Sequence, residues 1–294
     1  MNSTILYTIL SLCTVGLLAG VILYFVAKKF HVQDDPRVSE VEKALPGVNC
    51  GTCGYPGCHA FAEAVAKADD LTKMYCPAGG NECMAVVVKI LGKEMMTKEP
   101  MVAVVRCYGT PEHSQRKNRY DGSALCVIAH NYYMGETDCP YGCLGLGDCV
   151  VVCPFDAIYM DETTQLPIVD QDKCTACGAC VKACPRDIIE LRKKGPKARR
   201  IYVCCINKDK GGVARKACSV ACIGCGKCVK ECPFNAITLE NNLAYIDDNK
   251  CKLCRKCVVV CPTHAIHEIN FPPRKPKETE EQSPIVNSND QNQS

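Results

Sequence analysis

The chain has 294 residues, 27 of them cysteine, no tryptophan and a formal net charge of +3. So small a charge leaves bulk electrostatics uninformative about nucleic acid or any other partner. With aromatics at only 6%, a conventional hydrophobic core is thin for this length. The odd cysteine count and the absence of a recognisable cleavable signal argue against a disulfide scaffold and for metal ligation in a reducing compartment.

From Ile5 to Ala27 the chain reads ILYTILSLCTVGLLAGVILYFVA, 23 residues without a charge. That length suffices to cross a hydrocarbon core of about 30 Å. Lys28, Lys29 and Arg37 follow it and no basic residue precedes it, so a single-pass anchor with the bulk of the chain on the cytoplasmic side is predicted. A cleaved signal peptide would want basic residues before the apolar run and small ones at its end. Ser11, Thr14, Gly16 and Gly20 are small enough to pack against other membrane helices, although glycine is common in such segments. Cys13 reads as an ordinary helix residue.

After a short linker and helical turn, DDPRVSEVEKALPG, comes NCGTCGYPGCHAFAEAVAKADDLTKMYCPAGG. Cys50, Cys53 and Cys58 are spaced C-x2-C-x4-C, and an alanine-rich helix over His59–Leu71 carries the chain to Cys76. These four cysteines are expected to hold one [4Fe-4S] cluster, with Gly51, Gly54 and Gly57 letting the backbone wrap closely. A zinc-stabilised turn is the alternative. Residues 84–138 read least clearly: MAVVVKIL fits a helix or a strand, MVAVVRC a strand, and Cys83, Cys107 and Cys126 are scattered.

Four repeats then end in Cys-Pro and a hydrophobic strand: CPFDAI, CPRDII, CPFNAI and CPTHAI. Such repetition is the mark of one duplicated supersecondary unit. Cys174, Cys177, Cys180 and Cys184 follow the C-x2-C-x2-C-x3-C-P run, as do Cys222, Cys225, Cys228 and Cys232, and Cys251, Cys254, Cys257 and Cys261. The first repeat is stretched: Cys139, Cys143, Cys149 and Cys153 are separated by three, five and three residues, with Gly142, Gly145 and Gly147 to absorb the turns. In two-cluster ferredoxins the fourth cysteine of a run ligates the other cluster. Crossing gives Cys139, Cys143, Cys149 and Cys184 for one cluster and Cys153, Cys174, Cys177 and Cys180 for its neighbour. In the later pair it gives Cys222, Cys225, Cys228 and Cys261 for one and Cys232, Cys251, Cys254 and Cys257 for the other. Zinc sites pair C-x2-C knuckles and need no Cys-Pro after a fourth cysteine, which favours iron–sulfur clusters.

Between the two pairs, Lys193, Lys194, Lys197, Arg199 and Arg200 make a basic stretch, either a dock for an acidic electron carrier or a solvated connector. RNA binding lacks the aromatic ladder it would need, and no nucleic-acid partner is expected. Cys204, Cys205 and Cys218, with Cys107 and Cys126, could supply a sixth site or remain reduced, buried thiols. The tail from Phe271 is polar and expected to be disordered.

The resulting fold class is α+β: a transmembrane helix, a small four-cysteine domain and two tandem two-cluster ferredoxin-like units. The expected boundaries are 1–27 for the anchor, 28–91 for the four-cysteine domain and 92–132 for a connecting segment. The first ferredoxin-like pair follows at 133–193, the basic connector at 194–217, the second pair at 218–270 and the tail at 271–294. At least five [4Fe-4S] clusters are expected, which suits single-electron transfer. No nucleotide-binding glycine pattern, catalytic triad or flavin attachment motif is recognisable, so no catalytic residues are assigned.

The order of these parts resembles the B subunit of the Rnf ion-translocating oxidoreductase complex, in its long, cysteine-rich form. The resemblance spans about residues 1–270 and rests most specifically on NCGTCGYPGC…C and YGCLGLGDC. It implies an electron-relay subunit of a complex in the bacterial cytoplasmic membrane that exchanges electrons between ferredoxin and NAD while moving Na+ or H+. Ferredoxin would be the electron donor or acceptor, and other subunits would carry the hydride chemistry and the ion path. Shorter members have one ferredoxin pair where this chain has two. The alternative is a membrane-tethered polyferredoxin serving another oxidoreductase, such as a formate dehydrogenase or hydrogenase; the upstream cluster block argues against it.

Overall fold

The computed structural model describes residues 3–29, 35–94 and 97–274. The chain forms two compact units that interleave along the sequence. The first comprises residues 1–105, 121–133 and 144–192, the second residues 106–120, 134–143 and 193–294.

The first unit begins with α1 (Ser3–Lys29), an apolar helix of 27 residues closed by Lys28 and Lys29. At about 1.5 Å per residue it is long enough to cross a bilayer. Its Ile9–Val26 window has a mean hydropathy of 2.5 and none of it is buried within the protein. Then come α2 (Pro36–Ala44), α3 (Cys58–Lys67) and α4 (Gly80–Leu91). Proline at the first turn of α2 and the Asp35 side chain accepting from the Arg37 N–H satisfy that helix start. The helical spacing of Phe61, Ala62, Val65 and Ala66 turns one face of α3 onto Val38, Val41, Met84 and Val87, a mainly apolar core that also takes in Cys76. MAVVVKIL, ambiguous by periodicity, is helical in α4 and ends at Gly92 in the left-handed conformation.

Phe61, 1% exposed, meets the Tyr55 ring edge-on with centroids 5.5 Å apart. Phe61→Ala should cost about 3–5 kcal/mol, the range for emptying an aromatic site in a packed core. Hydrogen exchange of α3 and α4 checks it: protection equal to wild type would contradict the packing described.

The rest of the first unit is β1 (Met101–Val105), α5 (Cys126–Tyr132), α6 (Asp148–Val151), β2 (Ile158–Met160), β3 (Pro167–Val169), α7 (Ala179–Ala183) and β4 (Ile189–Lys193). β2 and β3 form an antiparallel ribbon pairing Ile158 with Val169, and β1 pairs with β4. The second unit contains β5 (Arg200–Val203), α8 (Gly211–Ala217), α9 (Lys227–Glu231), β6 (Ile237–Glu240), β7 (Leu243–Ile246), α10 (Lys256–Val259) and β8 (Ile266–Ile269). β6 pairs antiparallel with β7, and β5 with β8 from Arg200↔Ile269 to Val203↔Ile266.

One local design recurs four times. A strand starts at Ile158, Ile189, Ile237 and Ile266, each five residues after a Cys-Pro cysteine. Asp156, Asp187, Asn235 and His264 take positive φ of 47–55° just after those prolines, a region that Asn, Asp and His tolerate best. Within each run, two left-handed residues turn the chain around the cysteines: Gly224 and Gly226, Leu253 and Arg255, Ala176 and Gly178, and Gly145 and Gly147. At Gly224 a Cβ would lie 2.8 Å from the Asn242 carbonyl oxygen, so glycine is required there by backbone approach as well as by φ. Arg255 is held left-handed without that freedom; Glu268 grips its guanidinium at 2.6 and 2.7 Å.

The basic stretch is only partly a surface feature. Arg200 is buried within β5, and Arg199 lies over the Phe271 ring at 5.6 Å while donating to the Asn270 carbonyl. Phe271 itself packs onto the core of the second unit, and the remainder of the expected tail, 275–294, lies outside the described residues.

Candidate metal centres

In the first unit Cys50, Cys53, Cys58 and Cys76 line one cavity of about 310 Å³, closed on its apolar side by Leu45, Val48 and Phe61. The helix start at Cys58 places one sulfur donor, with the Asn49 side chain accepting the Cys58 N–H at 2.7 Å. The N–H of Gly79 donates to Cys76 Sγ at 3.4 Å. A hydrogen bond from the Cys83 thiol, with these backbone donors, draws the Cys76 thiol down to about 6. Spacing alone gives Cys83 no role; in the fold its single S–H is shared between Cys76 and the Ala44 carbonyl, 3.2 Å away.

Farther along the same unit, Cys180 at the start of α7 is pushed up to about 12 by burial and then by the thiols of Cys174, Cys177, Cys149 and Cys153. Cys153, Cys174, Cys177 and Cys180 are therefore brought together, as crossing of the fourth ligand requires. The Cys174 sulfur accepts from Ala103 N–H at 3.5 Å, and Cys153 from Ala157 at 3.4 Å. Cys149 is raised to about 11 by burial, followed by Cys126 and Cys184.

The stretched first repeat has a structural explanation. Its left-handed Gly145 and Gly147 match the two left-handed residues of each regular run, so Leu146 stands where those runs carry their second cysteine. Cys126, at the head of α5, has its sulfur beside the Leu146 N–H and the Asp148 N–H. Asp148 in turn accepts from the Cys126 and Val127 N–H groups at 2.8 and 3.2 Å, fixing α5 against the run. Cys126 thus joins Cys149 and Cys184. Cys139 and Cys143 belong to the second compact unit, where they line a cavity with Cys107, Cys204, Cys205 and Cys218.

In the second unit Cys222, Cys225, Cys228 and Cys261 line one cavity of about 350 Å³, and Cys232 does not. Burial, then the thiols of Cys222, Cys225 and Cys261, push Cys228 up to about 11. Cys257 reaches about 12 through burial and then Cys251, Cys254, Cys228 and Cys232. Cys232 therefore sits with the later run and Cys261 with the earlier one.

These sets fit cysteine-ligated clusters. Sulfurs ring a largely apolar space and receive backbone N–H donors, and at Cys180, Cys228 and Cys257 burial together with neighbouring thiols makes a bare thiolate costly until a cationic core is present. Among the described residues no three His, Cys, Asp or Glu side chains close on a single ion.

Comparison with known proteins agrees with the sulfur-rich composition. An Fe-S cluster family (FeS) matches residues 45–77, and 4Fe-4S dicluster domain families match residues 140–191, 173–236 and 221–265. The chain is 46% identical over 237 residues to the B subunit of the Na(+)-translocating ferredoxin:NAD(+) oxidoreductase complex of Acetobacterium woodii, covering 81% of this chain and 70% of that one. It is 42% identical to the B subunit of the proton-translocating ferredoxin:NAD(+) oxidoreductase complex of Clostridium ljungdahlii, covering 85% and 86% respectively. To the B subunit of the ion-translocating oxidoreductase complex of Methanosarcina acetivorans it is 38% identical, covering 85% and 93%.

Proposed function

The chain belongs to the B-subunit family of ion-translocating oxidoreductase complexes, and we propose that it takes electrons from ferredoxin and relays them through its cysteine-held clusters to partner subunits. It is an iron–sulfur electron-carrying subunit holding several [4Fe-4S] clusters. Bound clusters supply reversible one-electron chemistry; the protein's own residues hold them, exclude water and set their surroundings.

The observation that carries the relay reading is the closeness of neighbouring cysteine sets: α6 packs on α7 and α9 on α10, the helices that carry Cys149, Cys180, Cys228 and Cys257. Cys149 lies close enough to Cys180 to raise it, and Cys228 does the same to Cys257. Each pair belongs to two different expected clusters, so clusters held there would be close neighbours. The ligand sets that follow are Cys50, Cys53, Cys58 and Cys76; Cys153, Cys174, Cys177 and Cys180; Cys222, Cys225, Cys228 and Cys261; and Cys232, Cys251, Cys254 and Cys257. A further cluster is built on Cys149 and Cys184, with Cys126 beside them. The three repeat-bearing family matches favour two tandem ferredoxin-like pairs. Mixing the full-length protein with reduced ferredoxin should bleach its visible charge-transfer absorption, and no bleaching would contradict the donor assignment.

The helix α1 supports a single membrane anchor, and the basic residues after it favour the cytoplasmic side for the rest of the chain. Deleting residues 1–29 should move the chain from the membrane to the soluble fraction with its iron retained. A truncated chain that still sediments with membranes would contradict the anchor.

A further inference from the structure

We propose that the second unit carries an additional [4Fe-4S] site whose ligands are Cys107, Cys139, Cys205 and Cys218. The six cysteines at its cavity, these four with Cys143 and Cys204, surround about 430 Å³. That is no smaller than the spaces of about 350 and 310 Å³ ringed by the Cys222 and Cys50 sets. Nothing in local spacing links these residues, because they come from separate stretches of the chain.

The sulfurs face a shared space. A Cβ placed on Gly109 would sit 3.6 Å from Cys107 Sγ and 3.9 Å from Cys218 Sγ, so both sulfurs flank one point of the backbone. Asn207, 1% exposed, links two others: its side-chain amide donates to Cys139 Sγ and its backbone N–H to Cys205 Sγ, each at 3.4 Å. The Cys143 N–H donates to Cys107 Sγ at 3.4 Å, so this residue serves the site through its backbone. Burial raises Cys218 to about 11, and Cys107 and Cys139 add to it, while the Val220 and Ala221 N–H groups partly offset the rise.

Two features select Cys205 over its neighbour Cys204. Asn207 joins the Cys205 sulfur to that of Cys139, and Cys205 accepts the N–H two residues along at 3.4 Å, the turn also used at Cys218 and Cys251. It further accepts the Cys222 N–H, which sets the new site against the cluster set of the following run. Arg106 also lines the cavity; its guanidinium is buried and hydrogen-bonds the Val203 and Cys205 carbonyls at 3.2 and 3.1 Å. A buried cation there offsets the net negative charge of a four-thiolate cluster. A cluster at this position would extend the row of the second unit by one member.

The test is iron and acid-labile sulfide per chain in the full-length protein, prepared anaerobically, with electron paramagnetic resonance after reduction. Cys218→Ala should lose about four iron atoms and about four sulfides, one cubane. Cys204→Ala, in the same cavity, should keep the wild-type count. Full iron in both Cys218→Ala and Cys107→Ala would overturn the site, and loss in Cys204→Ala with none in Cys205→Ala would overturn the ligand set. If Cys218→Ala loses iron from every site through misfolding, Cys218→Ser decides. Loss of one cluster or a shift of one resonance signal supports ligation; iron and spectra identical to wild type overturn it.

Discussion

Cys261→Ala should remove the cluster of the earlier run, Cys222, Cys225 and Cys228, and leave the later set with all four of its thiols. The reason lies in the cavity, which Cys261 enters from the far end of the later run while Cys232 stays outside it. Pro262 follows Cys261 and cannot continue the α10 turn, and the chain leaves into β8 with its sulfur directed to the other set. The expected loss is about four iron atoms per chain, with one spectroscopic signal gone. Cys232→Ala should give the mirror result, depleting the cluster of Cys251, Cys254 and Cys257. If Cys261→Ala instead abolished the signal of its own run, the crossed arrangement would be wrong.

Removing the iron should unfold one part of the molecule and spare another. In the second unit the core itself contains Cys205, Cys218, Cys222, Cys228 and Cys257, packed among Ile201, Val203, Ile237 and Ile246. Stripped of metal, those sulfurs become buried polarizable groups around empty space, and the apolar side chains are too few to compensate. Structural metal binding contributes on the order of 10 kcal/mol in small domains, comparable to the whole stability of an ordinary fold. Residues 36–91 differ, because their buried core, which includes Val41, Phe61, Val65, Met84 and Val87, takes in a single buried cysteine, Cys76. Anaerobic chelation followed by hydrogen exchange should therefore abolish protection across residues 200–270 while α3 and α4 keep much of theirs. Protection surviving across β5–β8 in the stripped protein would show that the clusters are not what holds that unit.

The regular runs are readable because their chemistry is local. A C-x2-C-x2-C-x3-C-P run fixes both a loop and the exit of its fourth sulfur, so the pairing of Cys222, Cys225 and Cys228 with Cys261 can be expected from spacing. The first repeat is harder to read from spacing, because its cysteines are separated by three, five and three residues. Its backbone is regular, with Gly145 and Gly147 in the left-handed positions and leucine at the second ligand site. Cys126 comes to that place from another segment, through a helix anchored by Asp148, and no local pattern reports such a contact. Long loops hide Cys107, Cys205 and Cys218 in the same way. The basic stretch reads as surface by composition, yet strand alternation and pairing with β8 bury Arg200. MAVVVKIL is ambiguous because a short apolar run suits either a buried strand or a helix; packing against α2 settles it as helix.

Ferredoxin-dependent reduction of NAD by anaerobic membranes, with this chain deleted and then restored, tests the relay most directly. The activity should disappear on deletion, with the remaining subunits still assembled, and return when the intact chain is supplied. Membranes that reduce NAD from ferredoxin equally well without the chain would contradict its place in the electron path.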